Sequence, residues 1–284
     1  MGYLYTQIAR FWETAVLGVG EHLAMSVGGI FFFGFPVVFS LGAYIFAILA
    51  VTGTSFWIAI PSALAGSLVI GFLFALMYRK LSNDSFAVFT LASVMAFDAL
   101  VRSWDSLTGG VLGIAGVPKP SFISNLLTLI VLQGIVAVTF LILEYFILKS
   151  PFGRSLQAHK ESKTFLNSLG RNADAVGSLI VILASLASAV AGIIAIWRIQ
   201  FLDPTFGGIP ILLQILTISI LAVKPKVRWI AVSTLIIVIL PEVLRFFPFP
   251  SSIVGHLRLL FYSGLLIILV NRLSSGYTSQ KRFV

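Results

Sequence analysis

From Leu23 to Tyr78 the chain runs for 56 residues without a formally charged side chain. A bilayer core of roughly 30 Å takes about 20 apolar residues of helix. At about 1.5 Å per residue, this run would make on the order of 84 Å of helix, too long for two spans. It must be broken, and Gly34-Phe35-Pro36 and Thr52-Gly53-Thr54-Ser55 supply the breaks. One segment then ends near Phe33, a second covers 35–51 and a third covers Trp57–Met77. The first contains Glu21 and His22, which are costly in lipid and should face protein or water.

Composition agrees with a lipid solvent. The 284 residues are 58% hydrophobic and 10% charged, with mean hydropathy +1.05, whereas a soluble domain carries roughly 25% charged residues. The net charge of +9 does not point to nucleic acid, because Lys and Arg cluster at the ends of apolar runs and form no aromatic-interleaved basic face. Cysteine is absent, which excludes disulfides, thiolate metal sites and cysteine nucleophiles. The N-terminus lacks a charged n-region, an apolar core and a cleavage site in series, so it reads as retained. There is no P-loop pattern and no HExxH, and His22, His159 and His256 are too scattered for a metal site.

Beyond residue 78 the apolar runs are Phe86–Leu100, Phe122–Leu143, Ala175–Trp197, Pro204–Val223, Trp229–Leu244 and Leu259–Asn271. Basic residues set the orientation. Arg79-Lys80, the polar insert 149–175, Lys224/Lys226/Arg228 and the tail Arg272/Lys281/Arg282 should be cytoplasmic, leaving 102–121, 200–208 and 246–254 outside. The expected fold is an all-α polytopic transmembrane bundle. Either nine full spans put the N-terminus outside, or eight spans plus a re-entrant segment at 35–51 put it inside.

Three stretches could carry function. Trp104-Asp105-Ser106-Leu107-Thr108-Gly109-Gly110, with Gly113, follows a short apolar run; it reads either as an outer turn or as free backbone lining a solute path. Gly34, Gly42 and Tyr44 allow close helix packing or a solute wall. Asp98 and Arg102 are four apart and can pair on one face, while Glu144 should snorkel or pair with Lys149. In the insert, Pro151 and Gly153 end the preceding helix and 154–169 reads as one helix. Its apolar edge is Phe165, Leu166 and Leu169, and Gly170 is its C-cap. Such a helix either lies on lipid headgroups or docks in a partner's groove.

Taken together, Phe86-Ala87-Val88-Phe89-Thr90-Leu91-Ala92, the Trp104–Gly110 stretch with Gly113-Ile114, Gly34, Gly42-Ala43-Tyr44, and Ser150-Pro151-Phe152-Gly153-Arg154-Ser155-Leu156 with Leu169-Gly170 resemble branched-chain amino acid ABC importer permeases of the LivM type. Asp203-Pro204, Phe206-Gly207 and Pro241-Glu242-Val243-Leu244-Arg245 extend the resemblance, which covers about 28 to 245. It implies a single permease domain over 1–284 in a bacterial-type cytoplasmic membrane, carrying branched-chain or related amino acids. The implied partners are a second permease subunit, two cytoplasmic ATPase subunits and an external solute-binding protein. ATP and Mg would be bound by the ATPase, with no cofactor, metal or catalytic residue in this chain. The insert 149–175 would be the coupling loop, through Gly153, Arg154, Glu161, Leu169 and Gly170. Gly34, Gly42, Tyr44, Thr90, Trp104, Asp105, Ser106, Thr108, Gly109, Gly110 and Gly113 would form the solute pathway or its structural signature. Phe35, Phe165-Leu166, 222–228 and Gln214 depart from the family pattern. The alternatives are an importer of urea or short amides, or a stand-alone secondary transporter using Glu21 or Asp98 as its titratable group.

Overall fold

The structure is a computed structural model that describes residues 2–243 and 251–280, including the side chains of 2–242 and 255–271. Leu244, Arg245, Lys281, Arg282 and the 246–250 part of the expected outer loop lie outside the described residues, as does the side chain of Arg272. The described chain is a helical membrane bundle with one two-stranded ribbon.

Helix α1 (Gly2–Glu21) continues into a π-turn at His22–Val27, and a non-helical segment at 28–34 leads into α2 (Phe35–Val51). The first helical segment therefore stops at Val27, earlier than the expected Phe33, because Gly28 and Gly29 turn the chain there. Helices α3 (Phe56–Lys80) and α4 (Asn83–Ser103) follow. Helix α4 exceeds its apolar run because Ser82 caps it, accepting from Ser85 N at 3.2 Å, and because Asp98 and Arg102 pair within it. The single turn α5 (Asp105–Thr108), a 3₁₀ turn at Gly110–Leu112 and strand β1 (Ile114–Ala115) make the outer connection. Next come α6 (Leu126–Lys149), α7 (Pro151–Glu161), α8 (Lys163–Ser168) and α9 (Ala173–Ile199). Strand β2 (Phe201–Leu202) and a 3₁₀ turn at Pro204–Gly207 precede α10 (Ile209–Leu221), α11 (Val227–Val243) and α12 (Ser251–Gln280).

Helix α9 forms the centre. Other helices enclose 72% of its most apolar stretch, against 17% for α6. Lipid offers no hydrophobic drive between helices, so close approach depends on small residues. Helix α3 supplies a buried stripe of Ala59, Ala63, Ser67, Gly71 and Ala75 at four-residue spacing. Its Gly71 meets Ser185 of α9, and Gly177 of α9 receives the Tyr78 ring. The pairs Gly34–Phe74, Gly42–Ser67 and Phe46–Phe56 run in opposite order along the two chains, so α2 lies antiparallel to α3 over its whole length. Outward faces are apolar: Val131, Ile135 and Ile142 of α6 and Val88 and Met95 of α4 are all exposed, as suits side chains that meet lipid.

Candidate functional site: the cytoplasmic insert, the outer loop and a charged cavity

The insert is two helices, not the single helix expected over 154–169. Pro151 sits at the start of α7, where a missing N–H costs nothing, and Ser150 caps the helix by accepting from Gly153 N at 3.2 Å. Gly153 therefore begins the second helix in addition to following the first. A Cβ there would press on the backbone of Leu148 at 2.8 Å. Ser162 breaks the run: its backbone is extended and its hydroxyl accepts from Phe165 N at 3.2 Å, capping α8. The apolar edge is split in consequence. Leu166 is buried, whereas Phe165 and Leu169 are 53% and 60% exposed. Gly170 adopts φ 73°, its N–H donates to Asn167 O at 3.0 Å, and Arg171 N donates to Leu166 O at 3.3 Å, closing the helix as a left-handed C-cap. Arg154 and Glu161 are exposed, and Glu161 borders a cleft with Gln157, Lys160 and Pro225.

The inner side of α7 is tied to the turn after α1. His159 Nδ1 donates to Gly28 O at 2.8 Å, which makes Nε2 the acceptor for the Tyr78 hydroxyl, also at 2.8 Å. Lys160 Nζ donates to Ser26 O at 2.7 Å. Burial pushes both groups below their ordinary pKa. For His159 the Gly28 bond opposes that shift, and Lys163 adds to it. These ties escape a reading of sequence because the partners are more than 130 residues apart.

At the outer end, the Trp104–Gly113 stretch forms a compact knot. Trp104, Asp105 and Ser106 are exposed. The Thr108 hydroxyl is buried and bonds to Val101 O at 2.6 Å and Trp104 O at 2.8 Å, and Gly110 N donates back to it at 3.3 Å. Gly109 and Gly110 have φ of 73° and 54°. Gly113 has φ 70° and ψ −171°, a conformation open to glycine, and a Cβ there would strike Leu202 O. That approach seats Ile114 opposite Leu202 and Ala115 opposite Phe201 in the antiparallel ribbon. Of the two readings of the stretch, this local geometry is that of a turn. The other signature residues pack elsewhere. Gly34 faces Phe32 and Phe74, Gly42 lies against the Ala189 backbone, and Tyr44 is buried against Phe97. Thr90 accepts from Phe33 N at 3.2 Å, holding the 28–34 segment to α4.

Buried charge occurs where the sequence reading placed little. Glu144 does not pair with Lys149. It is fully buried and bonds His22 Nδ1, whose other nitrogen lies 3.2 Å from Lys224 O. Lys149 lies over the Tyr145 ring instead. Asp98 and Arg102 pair as expected, at 2.8 and 3.2 Å. Glu21 is buried, and among the described residues neither carboxylate oxygen has a hydrogen-bond partner. Glu13 of α1 and Arg198 of α9 form a fork at 2.5, 3.1 and 3.2 Å. Arg10 lies 3.7 Å from Glu242, which also bonds Arg258 at 3.3 Å. Glu13, Arg10 and Arg198 line a cavity of about 170 Å³ between α1, α9 and α10, together with Gln214 and apolar side chains. The available signal was Arg10 and Glu13 inside a largely apolar helix. Among the described residues, no group of three or more His, Asp or Glu side chains could hold a metal ion.

A helical membrane bundle of five long apolar helices, further shorter ones and a polar helical insert has the architecture of a multi-pass permease. The family described as the branched-chain amino acid transport system permease component matches residues 4–270, and the chain belongs to it. The high-affinity branched-chain amino acid transport system permease proteins LivM of Escherichia coli (strain K12) and Salmonella typhimurium (strain LT2) are each 23% identical to it over 283 residues, covering 90% of this chain. The chain spans 65% of the length of these curated relatives. No solved structure matches.

Proposed function

We propose that this chain is a permease subunit of an ATP-driven importer of branched-chain or related amino acids in a bacterial-type cytoplasmic membrane. It forms one permease domain that performs no covalent chemistry. Its partners are a second permease, two cytoplasmic ATPase subunits that bind ATP and Mg, and an external solute-binding protein. The observation that carries this reading, beside family membership, is the α7–α8 insert. Its outer side offers Arg154, Glu161, Phe165 and Leu169, while His159 and Lys160 clamp its inner side to Ser26 and Gly28. Docked in an ATPase groove, it would move as a rigid pair and pull on α1 and α2 through the 26–34 segment, as well as on α6 and α9. Only Phe165 and Leu169 of the expected apolar edge are free to enter such a groove, and Gly153 and Gly170 fix where the pair begins and ends.

The antiparallel run of α2 along α3 favours nine crossings, with the N-terminus on the side opposite the insert. The outer knot at Trp104–Gly113 then serves as a structural signature. The decisive test is Glu161→Lys in the assembled complex in liposomes. Solute uptake should fall about tenfold or more while ATP hydrolysis persists, since a reversed charge in a docking surface is costly. Unchanged uptake would remove Glu161 from coupling. The secondary-transporter alternative draws on the buried Glu21, which has no hydrogen-bond partner among the described residues. It requires uptake driven by a proton gradient without ATP, and it is lost if ATP alone drives transport.

A further inference from the structure

We propose that the cavity between α1, α9 and α10 is a subsite for one small zwitterionic α-amino acid, an inference that rests on the importer reading and names where the solute pauses. The charges are of the right kinds and lie on facing helices. Glu13 can accept from an ammonium group. Arg10 can donate to a carboxylate. So can the free edge of Arg198, because Glu13 engages only its Nε and Nη2 atoms. Gln214 of α10 lines the same space. An amide side chain there offers both a donor and an acceptor.

Apart from Thr14, the remaining wall is apolar. Phe39 of α2 stacks on Phe206 with ring centroids 4.8 Å apart, and Leu17, Ile211 and Ile215 are part of the same wall. A charged rim opposite a hydrocarbon wall suits a molecule with both charges at one end and a short branched side chain at the other. The cavity's 170 Å³ is below the roughly 300–1,000 Å³ of pockets for drug-sized ligands. Ile199, exposed at the outer end of α9, is part of the lining and marks the mouth. The cavity therefore lies toward the side from which an importer receives its solute. A purely structural Glu13–Arg198 tie between α1 and α9 would account for the fork, and Arg10 also reaches Glu242 at 3.7 Å, but neither pair requires Gln214 to face the same space.

The absence of native cysteine allows a direct test. Ile211→Cys is placed in the chain, the full assembly is reconstituted in nanodiscs, and alkylation of this chain by N-ethylmaleimide is followed by mass. L-leucine at ten times its Kd should slow alkylation about tenfold. Leucinamide, which lacks the carboxylate, and 4-methylpentanoate, which lacks the ammonium, should each need at least about tenfold higher concentration for the same protection. Adding Glu13→Gln, which keeps the shape of the fork, should raise the leucine concentration needed by a similar factor. Equal protection by all three compounds would overturn the subsite, because it would show an apolar pocket indifferent to charge. So would alkylation unaffected by leucine in an assembly that takes leucine up, and in that case the importer reading would stand. Failure of the wild-type assembly to take up any amino acid would refute the importer reading and, with it, the subsite.

Discussion

Gly192 marks the point where α2 crosses α9, and a Cβ there would run into the Phe39 carbonyl. Gly192→Ala should therefore force the helices apart and cost about 1–3 kcal/mol, read as a lowered unfolding temperature in detergent. His159 makes a second prediction at this scale. Burial holds its pKa below the ordinary 6.5, so the folded chain binds fewer protons than the unfolded one as pH falls. The stability it contributes is complete above pH 6.5 and is lost as pH drops through the lowered folded value. Lys163 and Asp174 are the charged groups that act on it. Hydrogen-exchange protection across 151–161, corrected for the intrinsic rate at each pH, should fall on acidification, and His159→Asn should abolish that pH step. The residue scale is also where sequence reading divides most sharply. Asp98–Arg102 was legible because the partners sit four apart on one helix. His22–Glu144 and Glu13–Arg198 were not, being 122 and 185 residues apart. Local spacing carries no information about which distant helices meet.

At the scale of elements, the long apolar helices α3, α6 and α9 follow from hydrophobic length, whereas their ends follow from caps. Asn125 and Asn172 accept from Thr128 N and Ala175 N, each at 2.9 Å, and so place the starts of α6 and α9. The division of the insert has the same origin. Residues 154–169 contain no Pro or Gly, so helix-former composition predicts one continuous helix. A serine that turns extended and caps the next segment defeats that inference, since Ser is neutral in a helix and favourable at its start. Ser162→Ala should remove about 1 kcal/mol of capping and raise hydrogen exchange at 163–168 while leaving 151–161 protected. If the two segments instead fuse into one helix, exchange at 162–165 will slow. Of the candidate site, the outer glycines and the C-cap at Gly170 were readable because positive φ leaves a mark on composition. The cavity was not, because no local pattern announces where three helices leave space between them.

For the whole molecule, the open question in the sequence was whether 35–51 crosses or returns. We take the side-by-side packing of this 17-residue α2 on α3 as favouring a crossing, a reading that the following experiment tests. Single cysteines at Leu4, Ser55 and Ser168, each an exposed position, test the outcome with an impermeant thiol reagent on intact cells. With nine crossings, Leu4→Cys and Ser55→Cys react from outside and Ser168→Cys does not. Reaction of Ser55→Cys alone would restore the re-entrant arrangement.

The small ribbon has a mechanical consequence. Ile114 and Ala115, held through the glycine knot at the end of α4, pair with Leu202 and Phe201 immediately beyond the end of α9. Val117 N also donates to Gln200 O at 3.1 Å. The outer tips of these two helices are thus pinned together like the legs of a compass at its hinge. A push delivered at their cytoplasmic feet cannot slide one tip past the other, so it becomes an angle between the legs.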